Sequence, residues 1–361
     1  MKRIPYLLVF TIGVLSCKQE ASQPQPAITE KKAEVDTLPI APAIITDTTM
    51  HDTDDPAIWI NRADLSKSLI IGTDKDEDGA LYVFDLQGKE VPGKTVRGLK
   101  RPNNVDIEYG FSFGGKTIDI AVVAERLTHK IRIFSLPDMQ AIDNGGIEVY
   151  LGETGEEYRD LMGISCYKHP DGKIDVIVGR KNGPTDGSYL WQYRLTEKSG
   201  KLHAEVVRKF GTYSGKNEIE AIAVDDELGF VYYSDEGVGI RKYYADPAKG
   251  NEELALFGTE GFKEDHEGIS IYKSDASHGF IVVSDQQVNS FRIFPREGNS
   301  GNAHDHPHLH TAKVQANESD GSEVTEVALP GFPSGLFVAM SDNKTFHFYH
   351  WKDIAGPLYK K

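Results

Sequence analysis

The chain has 361 residues, of which 39% are apolar and 26% charged, enough for a large buried core and ordinary for a globular protein. Its formal net charge of −15 has the wrong sign for a protein that grips nucleic-acid phosphates, so nucleic acid is excluded as an expected partner. The two cysteines, Cys17 and Cys166, build no disulfide framework, and a Cys-x5-Arg phosphatase loop is ruled out because Gly172 stands where its arginine belongs.

In chain order, Met1-Lys2-Arg3 is a basic start and Tyr6 to Leu15 an apolar run too short to span a bilayer. It ends in Val14-Leu15-Ser16-Cys17, which resembles a bacterial lipobox. The expectation is a signal peptide over 1–16, a lipidated Cys17 heading a disordered tether over 17–39, and one folded domain over 40–361. The chain then reads as an exported bacterial lipoprotein of the cell envelope, on the periplasmic or surface side of an outer membrane. It would be monomeric and touch the membrane only through its lipid.

From there the sequence repeats. Apolar runs recur at Leu69-Ile70-Ile71-Gly72, Ile120-Ala121-Val122-Val123, Val176-Ile177-Val178-Gly179, Phe230-Val231-Tyr232-Tyr233, Phe280-Ile281-Val282-Val283 and Leu336-Phe337-Val338-Ala339. The step is about 50 to 56 residues. Each is preceded by a polar residue and a short strand, as in Asp55-Pro56-Ala57-Ile58, Glu220-Ala221-Ile222-Ala223 or Glu267-Gly268-Ile269-Ser270. Six units of about four strands predict an all-β, six-bladed β-propeller. The last unit is short after Trp351, so residues 41–46 are expected to supply its outer strand.

In such a blade the start of strand one and the turn between strands two and three share one face. That face should gather Asp54, Asp55, Asn103, Asn104, Asp106, Asp160, Glu218, Glu220, Asp265, Glu267, Glu323 and Glu326, with Asp235, Glu236 and Asp285 from turns. Converging carboxylates repel one another, and hard oxygen-seeking cations such as calcium relieve this. Lys75, Arg126, Arg180 and Lys181 occupy the turns of the first three units, so one half of the mouth is basic and the other acidic. A multiply anionic substrate fits across both. His304-Asp305-His306-Pro307-His308-Leu309-His310 reads as an exposed insertion loop.

Asp52-Thr53-Asp54-Asp55-Pro56-Ala57-Ile58-Trp59 and Asn103-Asn104-Val105-Asp106-Ile107 resemble motifs of the bacterial β-propeller phytases, as do Ala223 to Gly229, Glu267-Gly268 and Gly335 to Ala339. The resemblance implies calcium-dependent hydrolysis of phytate, or calcium-phytate, by a calcium-activated water without a phosphoenzyme. It implies Asp55, Glu220, Glu236, Asp265, Glu267, Asp320 and Glu326 as ligands of several Ca2+ ions or of water. Lys75, Arg126 and Arg180 match phosphate-binding cations, and Glu220, Glu236, Asp265, Glu267, Lys75 and Arg126 match the catalytic centre. The pattern departs from the family at Met162, where a tyrosine is common, and at Arg180-Lys181, where lysine and an acid are common. Two other readings share the fold. A calcium-dependent lactonase-like propeller needs no row of cations, and a non-catalytic surface-binding propeller needs no chemistry.

Overall fold

Strand two of every repeat is apolar without alternation, and the packing explains why. Ile70 points into one cluster with Leu336, Val338 and Phe346, whereas Ile71 points into another with Val105, Ala121 and Val123. Successive side chains of a strand leave on opposite faces. A strand buried between two neighbouring sheets therefore needs both faces apolar. The computed structural model describes Met1 and residues 33–360, and six such clusters each join one sheet to the next.

The sheets are the six expected blades, each antiparallel from the axis outward. Blade 1 is Thr53–Trp59, Leu69–Asp74, Gly79–Phe84 and Val96–Leu99. Blade 2 is Pro102–Phe113, Lys116–Glu125 and Lys130–Leu136, with Gln140–Ala141 and Ile147–Glu148 outside. Blade 3 is Leu161–Lys168, Ile174–Arg180, Leu190–Lys198 and Lys201–Phe210, and blade 4 is Ile222–Asp225, Phe230–Asp235, Gly239–Tyr244 and Ala255–Phe257. Blade 5 is His266–Lys273, Gly279–Asp285, Ser290–Pro295 and His310–Lys313, and blade 6 begins Ser322–Thr325, Leu336–Ser341 and Thr345–His350. Each first strand touches the first strand of the next blade, and blade 6 touches blade 1, so the ring is closed.

The closure is the one expected. Ile44–Ile45 pairs antiparallel with Thr345–His350 as the outer strand of blade 6, opposite Phe348 and His347. Thr46 completes the seam: its N–H donates to Phe346 O at 3.0 Å and its hydroxyl accepts Phe346 N–H at 2.9 Å.

Two expectations differ in detail. Glu34–Val35 already runs parallel beside His310–Lys313 as a fifth strand of blade 5, so ordered structure begins ahead of residue 40. The backbone ladder, with Ile40 bridging Val314, holds this segment despite its polar composition. The histidine run is not an exposed loop: His306 and His310 are buried, and His306 Nδ1 meets Pro295 O at 2.7 Å. Cys17, the signal peptide and the tether as far as residue 32 lie outside the described residues. No helix among the described residues is long and apolar enough to cross a membrane.

Thr46→Pro removes both hydrogen bonds at the seam and is expected to cost about 3 kcal/mol. The guanidinium unfolding midpoint checks this; an unmoved midpoint would show that the outer strand does not hold the ring shut.

Candidate active site

The site is built by one irregularity that the blades repeat. In blade 1 Thr53 pairs with Asp74 and Pro56 with Gly72, so Asp54 and Asp55 stand against a single partner residue. The same bulge falls at Asn103-Asn104, Met162-Gly163 and Glu267-Gly268. The registers of blades 4 and 6, carried back by the same offset, place Glu220-Ala221 and Asp320-Gly321 at this position. A bulge bends its strand and re-aims a side chain. Where the second bulge residue is glycine, the next blade approaches too closely for anything larger. A Cβ at Gly163 would lie 2.0 Å from Glu220 O, at Gly268 2.5 Å from Asp320 O, and at Gly321 2.6 Å from Asp54 O.

The first bulge residues are thus Asp54, Asn103, Met162, Glu220, Glu267 and Asp320, one from each blade. Their side chains form a bonded arc. Asn103 Nδ2 donates to Glu220 Oε1 at 3.1 Å and to Asp54 Oδ2 at 3.4 Å, with Met162 Sδ 3.8 Å away. Lys75 Nζ reaches Asp54 Oδ1 at 2.5 Å and Asp320 Oδ2 at 2.7 Å. Gln286 Nε2 donates to Asp320 Oδ1. Gln287 Nε2 meets Gln286 Oε1 and Asp265 Oδ2, both at 2.7 Å, and Asn217 Nδ2 meets Asp265 Oδ1 at 2.9 Å.

A second set comes from the residue that follows each second strand: Lys75, Arg126, Lys181, Glu236, Gln286 and Asp342. The last strand residue before it has a different task. Asp74 accepts the N–H groups of His51 and Asp52, Glu125 that of Lys100, Asp235 that of Ser214 and Asp285 that of Lys263. These acids clasp the loop leading into the first strand.

That distinction corrects the reading of Arg180. It is the last strand residue of blade 3, its side chain is wholly buried, and it works as a clasp. Its guanidinium donates to Glu153 at 2.7 Å and to the carbonyls of Tyr158, Ser188 and Tyr189, over the Tyr150 ring. Four of its five donors are taken and the side chain is wholly buried, so it is not presented to a substrate phosphate; Lys181 holds the position equivalent to Lys75 and Arg126, paired with Glu218 at 2.8 Å. Glu326 is a second correction. It lies past the end of its strand and lines an axial cavity of about 670 Å³ with Asp55, Asp106 and Glu323, away from the Glu220 group. Asp55 faces the same cavity and accepts Val105 N–H at 3.0 Å. Asp235 and Asp285 are buried clasps bound to Arg241 and Arg292, each at 2.8 Å.

Glu220, Glu236, Glu267, Asp320 and Asp265 do come together, with Lys75 beside them. Glu218, Glu220 and Glu236 each offer an oxygen within 4.8 Å of the others. Burial, then Glu220 and Glu218, lifts the Glu236 carboxyl to about 10; burial and the neighbouring Glu236 and Glu220 push Glu267 well up. Burial also raises Asp54 against the pull of Lys75. Burial pulls the Lys75 pKa down, but Asp54, Glu220 and Asp320 outweigh it and hold the ammonium charged. Glu236 Oε1 and Glu267 Oε2 are buried without a hydrogen-bond partner. Orphaned carboxylate oxygens beside further carboxylates suit a hard cation such as calcium. Arg126 is 7% exposed, and its side chain has no acceptor among the described residues. The sequence reading placed Asp54 and Asn103 on this face without separating them from Asp55 and Asn104, which the shared bulge register does, and it missed Asn217, Gln286 and Gln287, of which Gln286 is found by its place after the second strand.

A sequence profile of the Phytase family matches residues 5–353. A 3-phytase of Bacillus subtilis (strain 168) is 28% identical over 325 residues, covering 84% of this chain and 81% of that protein. The WD40 β-propeller domain of Doa1 superposes with a TM-score of 0.47 at 11% identity, over 81% of this chain and 77% of that one. The Dos1 propeller gives 0.42 at 11% identity, over 83% and 68%.

Two outcomes follow from this geometry. Arg180→Met should cost about 3–5 kcal/mol, since it strands Glu153 and three carbonyls; Lys181→Met, which breaks a half-exposed pair, should stay within about 1 kcal/mol. Denaturant titration separates them, and equal effects would restore Arg180 to the substrate side. In chelator-treated protein, Glu236 and Glu267 bind protons more tightly folded than unfolded, so stability should fall as pH rises from about 5 toward 10. Glu236→Gln should flatten that slope in denaturation series at successive pH values; a slope unchanged by the substitution would place the linkage elsewhere.

Proposed function

The chain belongs to the Phytase family and is a phosphomonoester hydrolase of the phytase kind, and on that footing we propose that it releases phosphate from phytate in a calcium-dependent reaction at this mouth. What supports the reading is a mouth with unmet polar groups of both kinds: a nearly buried Arg126 with no acceptor among the described residues, and buried oxygens of Glu236 and Glu267 without a hydrogen-bond partner. A calcium-bound polyanion would satisfy the two together. Glu218, Glu220, Glu236 and Glu267 would hold calcium, with Asp265 and Asp320 beside them. Bound there, calcium would neutralise carboxylate charge and lower the pKa of water for attack on phosphorus.

The chain's own residues do the positioning. Lys75 has three N–H donors, and Asp54 and Asp320 take two, so one is left to aim at a phosphate oxygen. Arg126 can offer its planar fork to a phosphate, and Lys181 supplies a third cation on the same half. The amides of Asn217 and Gln287 cap both oxygens of Asp265, which fixes that carboxylate's direction before any ligand arrives. The reading extends to the enzyme's setting: a monomer, exported and anchored through a lipid on Cys17.

The test is phosphate release from phytate by residues 33–361 with added calcium, with a chelator, and with Arg126→Ala. Release should disappear with the chelator, and Arg126→Ala should raise KM by about tenfold or more, the loss of one or two charge-assisted hydrogen bonds. Release that ignores chelation would overturn the calcium claim, and no release at any calcium level would overturn the phytate claim.

A further inference from the structure

One register position at the mouth breaks its pattern. The residue two places ahead of the inward-pointing bulge residue is Asp52, Arg101, Asp160, Glu218, Asp265 and Glu318 in blades 1 to 6. Five are acids; only blade 2 carries a cation. The equivalence shows in the backbone. The N–H groups of Lys75, Arg126, Lys181 and Glu236 donate to the carbonyls of Asp52, Arg101, Asp160 and Glu218, at 2.7, 3.0, 2.8 and 3.3 Å.

At this position the side chain leans on the preceding blade. Asp160 meets His129 at 3.5 Å, Glu218 meets Lys181 at 2.8 Å, and Asp265 meets Asn217 at 2.9 Å. The backbone of Arg101 is tied to the preceding blade as well: its N–H donates to Asp76 O at 2.7 Å, one residue from Lys75. Among the described residues no acid receives the Arg101 side chain. Arg101 Nε is buried without an acceptor, and the side chain of Arg126, joined to Arg101 by the backbone bond, meets no acceptor among the described residues. The chain keeps Arg101 at φ 56, a left-handed conformation costly for arginine and doubly so directly before Pro102. Neither side chain meets a counter-ion among the described residues, and a phosphate dianion is the partner that the fork of each guanidinium matches.

We propose that Arg101 is a substrate-contacting, specificity-determining residue that joins Lys75 and Arg126 in binding a polyphosphorylated substrate at the seam of blades 1 and 2. The inference rests on the phytase reading. It predicts that Arg101 contributes to holding the substrate and little to the chemical step.

Arg101→Asn tests it, because asparagine tolerates the left-handed backbone; Arg101→Gly, which relaxes that backbone fully, guards against a folding artefact. Both should raise KM for phytate about tenfold, with kcat within about twofold and the melting temperature unchanged or higher. Arg101→Lys, which keeps the charge without the fork, should fall between. A KM unchanged in the two neutral variants, or a fall in kcat with KM unchanged, overturns the assignment. Wild-type protein that releases no phosphate from phytate overturns the phytase reading itself, which an active wild type with indifferent variants does not.

Discussion

Four carboxylates converge on one axis, and the rest of the mouth answers their repulsion. Asp54, Glu220, Glu267 and Asp320 are carried inward by equivalent bulges, so the fold that makes the ring also concentrates the charge. Like charges in a buried space cannot all ionise unaided. The protein supplies three kinds of relief. Lys75 bridges Asp54 and Asp320, amides of Asn103, Gln286, Gln287 and Asn217 cap further oxygens, and burial with the neighbouring carboxylates makes Glu236 and Glu267 hold their protons more tightly, a place that a bound cation would take. The first two are built in; the third leaves the site responsive to metal.

The scaffold can bear this because its rigidity lies elsewhere. Each second strand is buried on both faces between neighbouring blades, and its last residue clasps the loop that delivers the first strand. Asp74, Glu125, Asp235 and Asp285 do this as acceptors, and Arg180 does it as a donor. The charge reversal at Arg180 keeps the mechanical role while inverting its polarity, which is why this arginine resembles a binding residue in the sequence and is a brace in the fold. Within the bulges, glycines at 163, 268 and 321 let neighbouring backbones close to distances no side chain allows.

The repeat, the blade count, the ring closure by residues 41–46 and the sharing of one face by Lys75, Glu220 and Glu267 were legible in the sequence. Apolar period and unit spacing carry that information directly. What was not legible is direction at single-residue resolution. In a strand one residue's shift reverses the face, and a bulge adds one residue without a mark in the composition. Asp54 and Asp55 are adjacent acids, yet one meets Lys75 and the other lines the axial cavity. Arg180 and Lys181 are adjacent cations, yet only the second reaches the mouth. Glu326 appears at a strand start by spacing, but Asp320 occupies the bulge and Glu326 falls at the strand's far end. Arg101 was hidden for another reason: Lys100-Arg101-Pro102 reads as a turn, and its meaning comes only from the five acids that fill its place in the other blades.

The asymmetry of the mouth also bears on how a polyanion could approach a chain of net charge −15. Screening at physiological salt limits the pull of exposed charges to about 8 Å, so the overall repulsion is felt weakly until the ligand is close. At that range the relevant field is local. Blades 1 to 3 present Lys75, Arg126 and Lys181, and blades 4 to 6 present Glu236, Gln286 and Asp342 at the equivalent turns. A polyanion would therefore be drawn to one side of the axis, and any cation held by the opposite carboxylates to the other. On the proposed reading the reacting phosphate would lie at the boundary, where Lys75 stands between Asp54 and Asp320. Met162, the one apolar member of the inward set, sits against Asn103 on the basic side and adds no charge to either half. Orientation of the substrate is thus set by how charge is divided around the ring, and catalysis and binding need not draw on the same residues.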